Sequence, residues 1–392
     1  VSDDPIVIVG AKRTPQGSML GAYRDVPAPH LAGTALRAAI AESGCKPALI
    51  DEIMMGCVLP AGLGQAPARQ AGFYADLCEH TAATTINKMC GSGMQSIILG
   101  HDRLIANSSR IVAVGGMENM TRAPYLLPKA RTGYRLGHGQ CYDHMFLDGL
   151  EDAYDSGKLM GCFADGAALR HNISRDDQDA FAIESLTRAK AAQASGAVAN
   201  ELAIVKEGKV ELDHDEGLDL AKPEKIPRLK PVFTDTGTVT AANASSIADG
   251  GSALILMRKS TAESHNLTPL ATIRGHAVDA RAPAEFTDAP AFAIQKLLDN
   301  IGWQVNDVDL FEINEAFAVV ALIAMRALDI PHEKLNCRGG ACAIGHPVGS
   351  TGSRIVVTLL AALRERGLKR GVASLCIGGG EATAIAIECE GK

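Results

Sequence analysis

The strongest constraint on what this chain can fold into is that it resembles itself. GSGMQSI at 91–97 pairs with GSTGSRI at 349–355, and IDEI at 50–53 pairs with VDLF at 308–311, both at an offset of 258 residues. Farther on, VGGMEN and IGGGEA pair at an offset of 263. Self-similarity at so long a period points to a duplicated, domain-sized unit rather than a short repeat. The content of that unit is α/β. In the first third, IVIVGA, IDEIMMGCVL, TTIN and SRIVAVGG alternate with helical stretches around 29–43, near 66–77 and after Cys90. The last third repeats the rhythm with ATIRGHAV, a helix near 290–301, VDLFEIN, a helix near 315–328, a glycine-rich loop with its helix, and GVASLCIGGGEATAIAIE. Alternation of this kind predicts layered α/β halves. Residues 121–242 read differently, with the polar PKARTGYRLGHGQ, a helix near 175–195 and the Pro- and Lys-rich AKPEKIPRLKP. Long excursions from a compact domain are seldom idle, so this segment is expected to carry a lid or binding function. The expected organisation is one half from 1–120 and 243–268, an inserted loop domain over 121–242, and a second half over 269–392.

Composition removes several function classes. A net charge of −7, a single Trp and no basic run with interleaved aromatics argue against nucleic acid as a partner. No apolar run approaches the ~18 residues of a membrane span, and the acidic opening VSDDPIVIVGAKRTP does not read as a secretory signal. The closing CEGK carries no address signal, so a cytoplasmic chain is expected. The cysteines at 45, 57, 78, 90, 141, 162, 337, 342, 376 and 389 include no C-x-x-C pair, and no His pair beside them has zinc-ligand spacing. Neither a structural metal nor a disulfide scaffold is expected. Most of these thiols would pack; one or two could be chemical.

Four corners carry reactive side chains. In INKMCGSGMQ, Cys90 sits between a strand-like and a helix-like run, followed at once by Gly91, Ser92 and Gly93. Packing is one explanation of a thiol there, since free cysteine is often buried. A nucleophile is the other, since a helix N-terminus favours the thiolate. FEINEAFA sets Asn314 and Glu315 before a helix with Val320, Ile323, Ala324 and Ala327 on its apolar face; Asn there reads equally well as an N-cap. GGACAIGHPVGSTG holds His346 in a loop too rich in glycine for a packing helix. SLCIGGGEA puts Cys376 at a strand end before three glycines whose N–H groups could face an anion. If the halves stack, two thiols, an imidazole, an amide and free backbone donors share one face. That set suits acyl transfer, and the second thiol, surplus to hydrolysis, suits acid–base work.

Read together, NKMCGSGMQS, GGMENM, NASSIADGGSALIL, NEAFA, GGACAIGHPVGSTGSR and CIGGGEA resemble, in order and across the whole chain, the signatures of the thiolase family. The resemblance implies duplicated α/β halves in a layered core, with an inserted loop domain over a coenzyme A site. It implies that Cys90 is the nucleophile, His346 its base and Cys376 the acid/base toward the second substrate. Asn314 would hold a water that completes an oxyanion hole with His346, and the N–H groups of Cys90 and Gly378 would form the other hole. Ala244 and Ser245 would flank the pantetheine arm with Phe233, Ala316 and Phe317 beside it, and Leu150 and Met160 would face the acyl group. Acyl-CoA and coenzyme A would be its substrates, with no bound cofactor, and the chain would form a homodimer or homotetramer.

Some positions depart from the family pattern. DEGLDLAKPEK offers Leu218 and Asp219 where an Arg toward the nucleotide phosphates is common; Lys222, Lys225, Arg228 and Lys230 are the substitutes at hand. The lid neighbour is Leu159 rather than His, and EFTDAP, with Phe286, replaces a glycine-rich loop beside the acyl pocket. Lys129, Arg131, Arg135 and His138 are a second basic set that could guide an anionic coenzyme or join dimers into tetramers. The expected activity is acetyl-CoA C-acetyltransferase, with a broader-chain 3-ketoacyl-CoA thiolase as the alternative. A non-catalytic acyl-CoA or lipid binder and a cysteine hydrolase are the alternatives from other classes.

Overall fold

The structure, a computed structural model, describes residues 4–390. The first three residues of the VSDDP opening and the last two of CEGK, both read above for targeting, lie outside that range. Among the described residues no helix is long and apolar enough to cross a membrane.

The first half supplies strands β1 (Ile6–Arg13), β2 (Glu52–Gly56), β3 (Ala82–Ile86), β4 (Ile111–Asn119) and β5 (Ala248–Arg258). The second supplies β6 (Ala271–Ala280), β7 (Leu310–Ile313), β8 (Arg370–Ile377) and β9 (Glu381–Cys389). They form one ten-stranded sheet in the order β7-β8-β9-β6-β1-β5-β4-β2-β3, with Gly17–Ser18 pairing onto β5. The duplication is visible in the pairing. β2 runs parallel to β4, which pairs antiparallel with β5, which pairs antiparallel with β1. β7, β8, β9 and β6 repeat that series. The halves join where β1 and β6 pair over Val7↔Thr272 and Ile8↔Ala271. One alignment is not kept. Strand register puts Val112 and Gly371 in equivalent places, opposite Glu52 and Leu310, so the glycines of GGMEN lie inside β4 whereas Gly378–Gly380 follow β8. The letters match; the backbone places do not.

Helices follow the same duplication. α1 (Ala28–Ser43) and α2 (Pro67–Tyr74) correspond to helices after β6 and β7, while α3 (Ser92–Ile105) leads into β4. The insertion adds α4 (Met160–Arg170) and α5 (Arg175–Ala194). The second half has α6 (Ala289–Ile301), α7 (Ala318–Leu328) and α8 (Val348–Arg366), the last leading into β8. Side chains alternate across a strand, so the central strands feed two cores. Val112, Val114, Leu254 and Leu256, with Ala373, Leu375, Ile385 and Ile387, pack on Met94 and Ile97 of α3 and Ile355 and Leu359 of α8. Ile111, Ala113, Ile255 and Met257 face α1 and α2 instead, and Val372, Ala384 and Ala386 face α6 and α7. The helix pair α3/α8 is therefore the shared central layer. It is packed backbone to backbone: a Cβ on Gly352 would stand 2.4 Å from the Met94 nitrogen, and one on Gly93 would stand 2.7 Å from that of Ser353. This close approach brings both helix N-termini, with Cys90 ahead of one and His346 ahead of the other, to one place.

Residues 121–242 add no strand to the main sheet; Tyr125–Leu126 with Tyr142–Asp143, and Val205–Glu207 with Val210–Leu212, form separate ribbons. A buried charge network ties the segment to the body. Arg13 on β1 donates to both oxygens of Asp215 (2.7 and 2.9 Å) and to Glu201 (2.8 Å), which also accepts from Arg338 (2.7 Å). Stripping one partner from such a network leaves an unpaired buried charge, at a cost of about 3–5 kcal/mol, so the insertion is firmly seated.

Candidate active site

Cys90 stands two residues before α3, after Met89 in the left-handed region at φ 47°. Its thiol is half-buried, among Met89, Met120, Met145, Val348 and Leu150. Burial pushes the thiol above its ordinary range, against the opposing pull of the Gly378 and Cys90 N–H groups on the sulfur. Those donors are aimed where negative charge would grow. Gly91 lies so close to β8 that a Cβ there would be 2.4 Å from Ile377 Cδ1, which sets the neighbour of Cys90 against the neighbour of Cys376.

Cys376, near the end of β8, is 1% exposed and packs with Phe286, Phe317 and Met160. Burial first, and then the charge of Cys90, hold its thiol well above the ordinary value. Two neighbouring thiols, both raised above the ordinary range, form a proton donor beside a nucleophile. Cys376 once deprotonated would be a strong base.

His346 is buried ahead of α8, its backbone N–H donating to the Ser246 carbonyl at 2.9 Å. Burial, and then the positive charge of Arg354, push its imidazole down to about 3, so the ring is neutral. Its tautomer follows from one side chain. Thr351 Oγ1 donates its single hydrogen to the Pro347 carbonyl at 2.9 Å and lies 2.7 Å from His346 Nδ1. The hydroxyl must therefore accept from Nδ1–H, which leaves Nε2 with a free lone pair. Nε2 faces the Asn314 amide nitrogen at 3.5 Å. Asn314 Oδ1 is buried without a partner, which suits a water or a ligand donor.

The N-cap reading of Asn314 is overturned. α7 begins at Ala318 with Phe317 at its cap. Asn314 sits in the turn between, its N–H donating to the Ser374 carbonyl of β8 at 3.0 Å, so its side chain is free to face the imidazole. Glu315 fixes the turn. Fully buried, it accepts from Ser185 Oγ (2.7 Å), Asn336 Nδ2 (2.8 Å) and the Cys342 N–H (3.0 Å), which joins the Asn314 turn to the loop leading to His346. Glu118 does the same on the other side, accepting from the N–H groups of Val58 (2.8 Å), Leu59 (3.2 Å) and Gly349 (3.0 Å); burial pushes it up to about 7.

The other apolar residues singled out in the sequence pack around the two thiols. Ala244 bridges to Phe317, and the Ser245 N–H donates to the Ala316 carbonyl at 2.9 Å. Phe233 and Phe286 stand edge-on to Phe317, with ring centroids 5.9 and 6.3 Å away. Met160 Sδ would be 3.6 Å from a Cβ on Gly378. Leu150 packs in the cluster that holds Cys90. The basic residues are elsewhere in character. Lys222, Lys225, Arg228 and Lys230 are exposed around the turn at Pro223–Arg228, and Lys129, Arg131, Arg135 and His138 lie on an exposed loop. Leu218, where an Arg is common, is instead buried against Leu186, Ala343 and Ile344, while Asp219 is taken by His214 at 2.7 Å.

Thr351 was not among the expected site residues. Thr351→Val keeps the side-chain volume but removes the acceptor for Nδ1–H, and the imidazole is then free to carry its proton on Nε2. One such hydrogen bond is worth about 1–3 kcal/mol, so kcat should fall roughly ten- to hundredfold with little change in KM. A native kcat in this variant would show that the hydroxyl does not set the tautomer.

Comparison with known proteins identifies the family. Residues 6–260 match the model for a thiolase N-terminal domain, and residues 267–389 the model for a thiolase C-terminal domain. A probable acetyl-CoA acetyltransferase of Dictyostelium discoideum is 46% identical, the match covering 98% of this chain and 94% of the relative. An acetyl-CoA acetyltransferase of Chromobacterium violaceum is 42% identical over 98% and 99%. Among solved structures, human mitochondrial 3-ketoacyl-CoA thiolase in complex with CoA superposes with a TM-score of 0.95 at 37% identity, over 99% of this chain and 98% of that one.

Proposed function

The chain belongs to the thiolase family, and we propose that it interconverts two molecules of acetyl-CoA with acetoacetyl-CoA and coenzyme A through an acyl group carried on Cys90. It is an acyltransferase. The observation that carries this reading is the pair of neighbouring thiols, Cys90 with the Gly378 N–H on its sulfur and Cys376 near enough to feel its charge. A hydrolase needs only the first.

In the first half-reaction Cys90 Sγ attacks the thioester carbonyl of acetyl-CoA and its proton passes to His346 Nε2. The carbonyl oxygen takes up negative charge under the N–H groups of Cys90 and Gly378, a hole worth about 3–4 kcal/mol by analogy with measured ones. The carbon–sulfur bond to coenzyme A then breaks, and the leaving thiolate takes the Cys376 proton. In the second half-reaction the Cys376 thiolate removes a methyl proton from a new acetyl-CoA. Its thioester oxygen becomes an enolate oxygen, held by protonated His346 Nε2 and a water on Asn314. The enolate carbon attacks the acetyl-Cys90 carbonyl, the sulfur leaves and recovers its proton from His346, and acetoacetyl-CoA departs. The reverse sequence is thiolysis. Cys90 need not be ionised beforehand, since its proton passes to the neutral imidazole as the new carbon–sulfur bond forms, and Cys376 becomes a thiolate only by giving its proton to departing coenzyme A.

Short acyl groups are favoured by Phe286, buried to 2% against Phe317, which fills space beside Cys376 that a longer chain would need. A kcat/KM series for thiolysis of 3-ketoacyl-CoA substrates of about four to sixteen carbons should peak at acetoacetyl-CoA. Equal or higher values at eight carbons and beyond would replace this reading with a broad-chain degradative thiolase. We place the working enzyme as a homo-oligomer, because β3 is an edge strand with Ala82 and Thr84 exposed and an unpaired edge invites a second copy.

A further inference from the structure

At the far end of α3, roughly 16 Å along the helix from Cys90, three side chains converge that the reaction does not use. His101 Nδ1 and His276 Nε2 both lie 3.0 Å from the same oxygen, Oδ1 of Asp102. The three donor atoms are all within 4.8 Å of one another, and the two imidazoles meet edge to face with centroids 5.1 Å apart. His101 and Asp102 belong to α3 in the first half, and His276 to β6 in the second. Their side chains are 16%, 53% and 24% exposed, so the cluster opens to solvent on the Asp102 side.

The geometry points to a site for a divalent transition cation of the zinc class, bound by His101 Nδ1, Asp102 Oδ1 and His276 Nε2 with water in the remaining position. Two imidazoles and a carboxylate are borderline donors that suit zinc, cobalt or nickel; magnesium and calcium take all-oxygen sets. The spacing is close to what is needed. Tetrahedral bonds of about 2.1 Å separate their donors by about 3.4 Å, so the two hydrogen-bonded contacts must open by about 0.4 Å as the cation replaces their protons. The helix favours the same charge. An acid in the last turn of α3 opposes the negative C-terminal end of the dipole, and a cation between Asp102 and the imidazoles relieves this. Arg258, whose charge reaches His101, is turned aside to the carbonyls of Asp4 (3.1 Å) and Ile105 (3.0 Å) and to Asn107 Oδ1 (3.1 Å). A bound ion clamps the end of the central helix to the other half's sheet.

Titration of the full-length enzyme with cobalt(II) and with zinc, beside thermal unfolding, tests the site. The expected result is one equivalent of cobalt with the moderately strong visible bands of a tetrahedral site and no intense near-ultraviolet sulfur charge transfer, and a zinc-dependent rise in Tm of about 3 °C. His276→Gln and Asp102→Asn should each weaken binding at least tenfold and abolish the Tm shift while acetyl transfer stays native, which certifies that the variants fold. Binding unchanged in both variants would overturn the proposal. So would a sulfur charge-transfer band on the single bound cobalt, or no uptake at millimolar metal.

Discussion

Replacing Cys90 with alanine is expected to abolish both turnover and the acyl-enzyme, the largest effect any single substitution in this chain should have. The sulfur is the atom that carries the acetyl group, and no neighbour can stand in for it: Cys376 is close by, but burial and the nearby Cys90 hold its thiol well above the ordinary value. The scaffold should survive. Cys90 is half-buried and makes no side-chain hydrogen bond on which a turn depends; the turn is held by Ser92 Oγ, which donates to the Met89 carbonyl and accepts from the Lys88 N–H. Loss of a nucleophile that defines the pathway costs far more than the 10²–10⁴-fold of a single proton-transfer group. Stopped and steady-state assays of acetoacetyl-CoA thiolysis should therefore both read zero above background. Residual turnover within a hundredfold of native would mean that another thiol accepts the acyl group.

Cys376→Ala should fail differently, because the two thiols act at different steps. Cys90 keeps His346 and the Gly378 N–H, so it should still take an acetyl group from acetyl-CoA, more slowly for want of the proton that Cys376 gives to departing coenzyme A. What should vanish is α-proton removal, by 10²–10⁴-fold if the thiol is the general base. Exchange of the acetyl-CoA methyl protons into deuterated water, followed by NMR, reads this step alone, and mass spectrometry of the protein reads acetylation beside it. The volume left by one sulfur in the Phe286–Phe317–Met160 cluster is small, so a folding defect is not the expected cause. Exchange at the native rate would reduce Cys376 to a packing residue and move the base to His346.

Much of the fold was legible in the sequence. The duplication could be read because glycines mark the corners of both halves, and those corners are where α3 and α8 must approach without Cβ atoms. Most strands could be read because they feed two cores and are apolar on both faces; the edge strand β3, with Ala82 and Thr84 exposed, does not. Cys90, Cys376 and His346 stood out as reactive groups among small residues; packing explained Cys90 alone as well as reactivity did, and the set of corners together pointed to chemistry. What was hidden depends on exact atoms rather than residue types. Asn314 looks like a helix cap because an apolar helix follows, yet the turn runs three residues further and Phe317 takes the cap. Thr351 sits among the small polar residues of GSTGS, whose Ser350 and Ser353 hydroxyls are spent inside the core on Ser252; nothing in the letters separates the one that holds an imidazole. His276 lies 174 residues from Asp102, and no spacing rule joins them. The matching glycines of GGMEN and GGGEA misled for the opposite reason, since letters agreed where strand register did not.

The central claim is that Cys90 carries the acyl group. Its most direct test is incubation of the native enzyme with acetyl-CoA alone, followed by rapid acid quench and intact and peptide mass spectrometry. The account predicts one added acetyl group, removed by hydroxylamine and confined to the peptide containing Cys90. An acetyl group on any other cysteine, or none under conditions where the enzyme turns over, would contradict it.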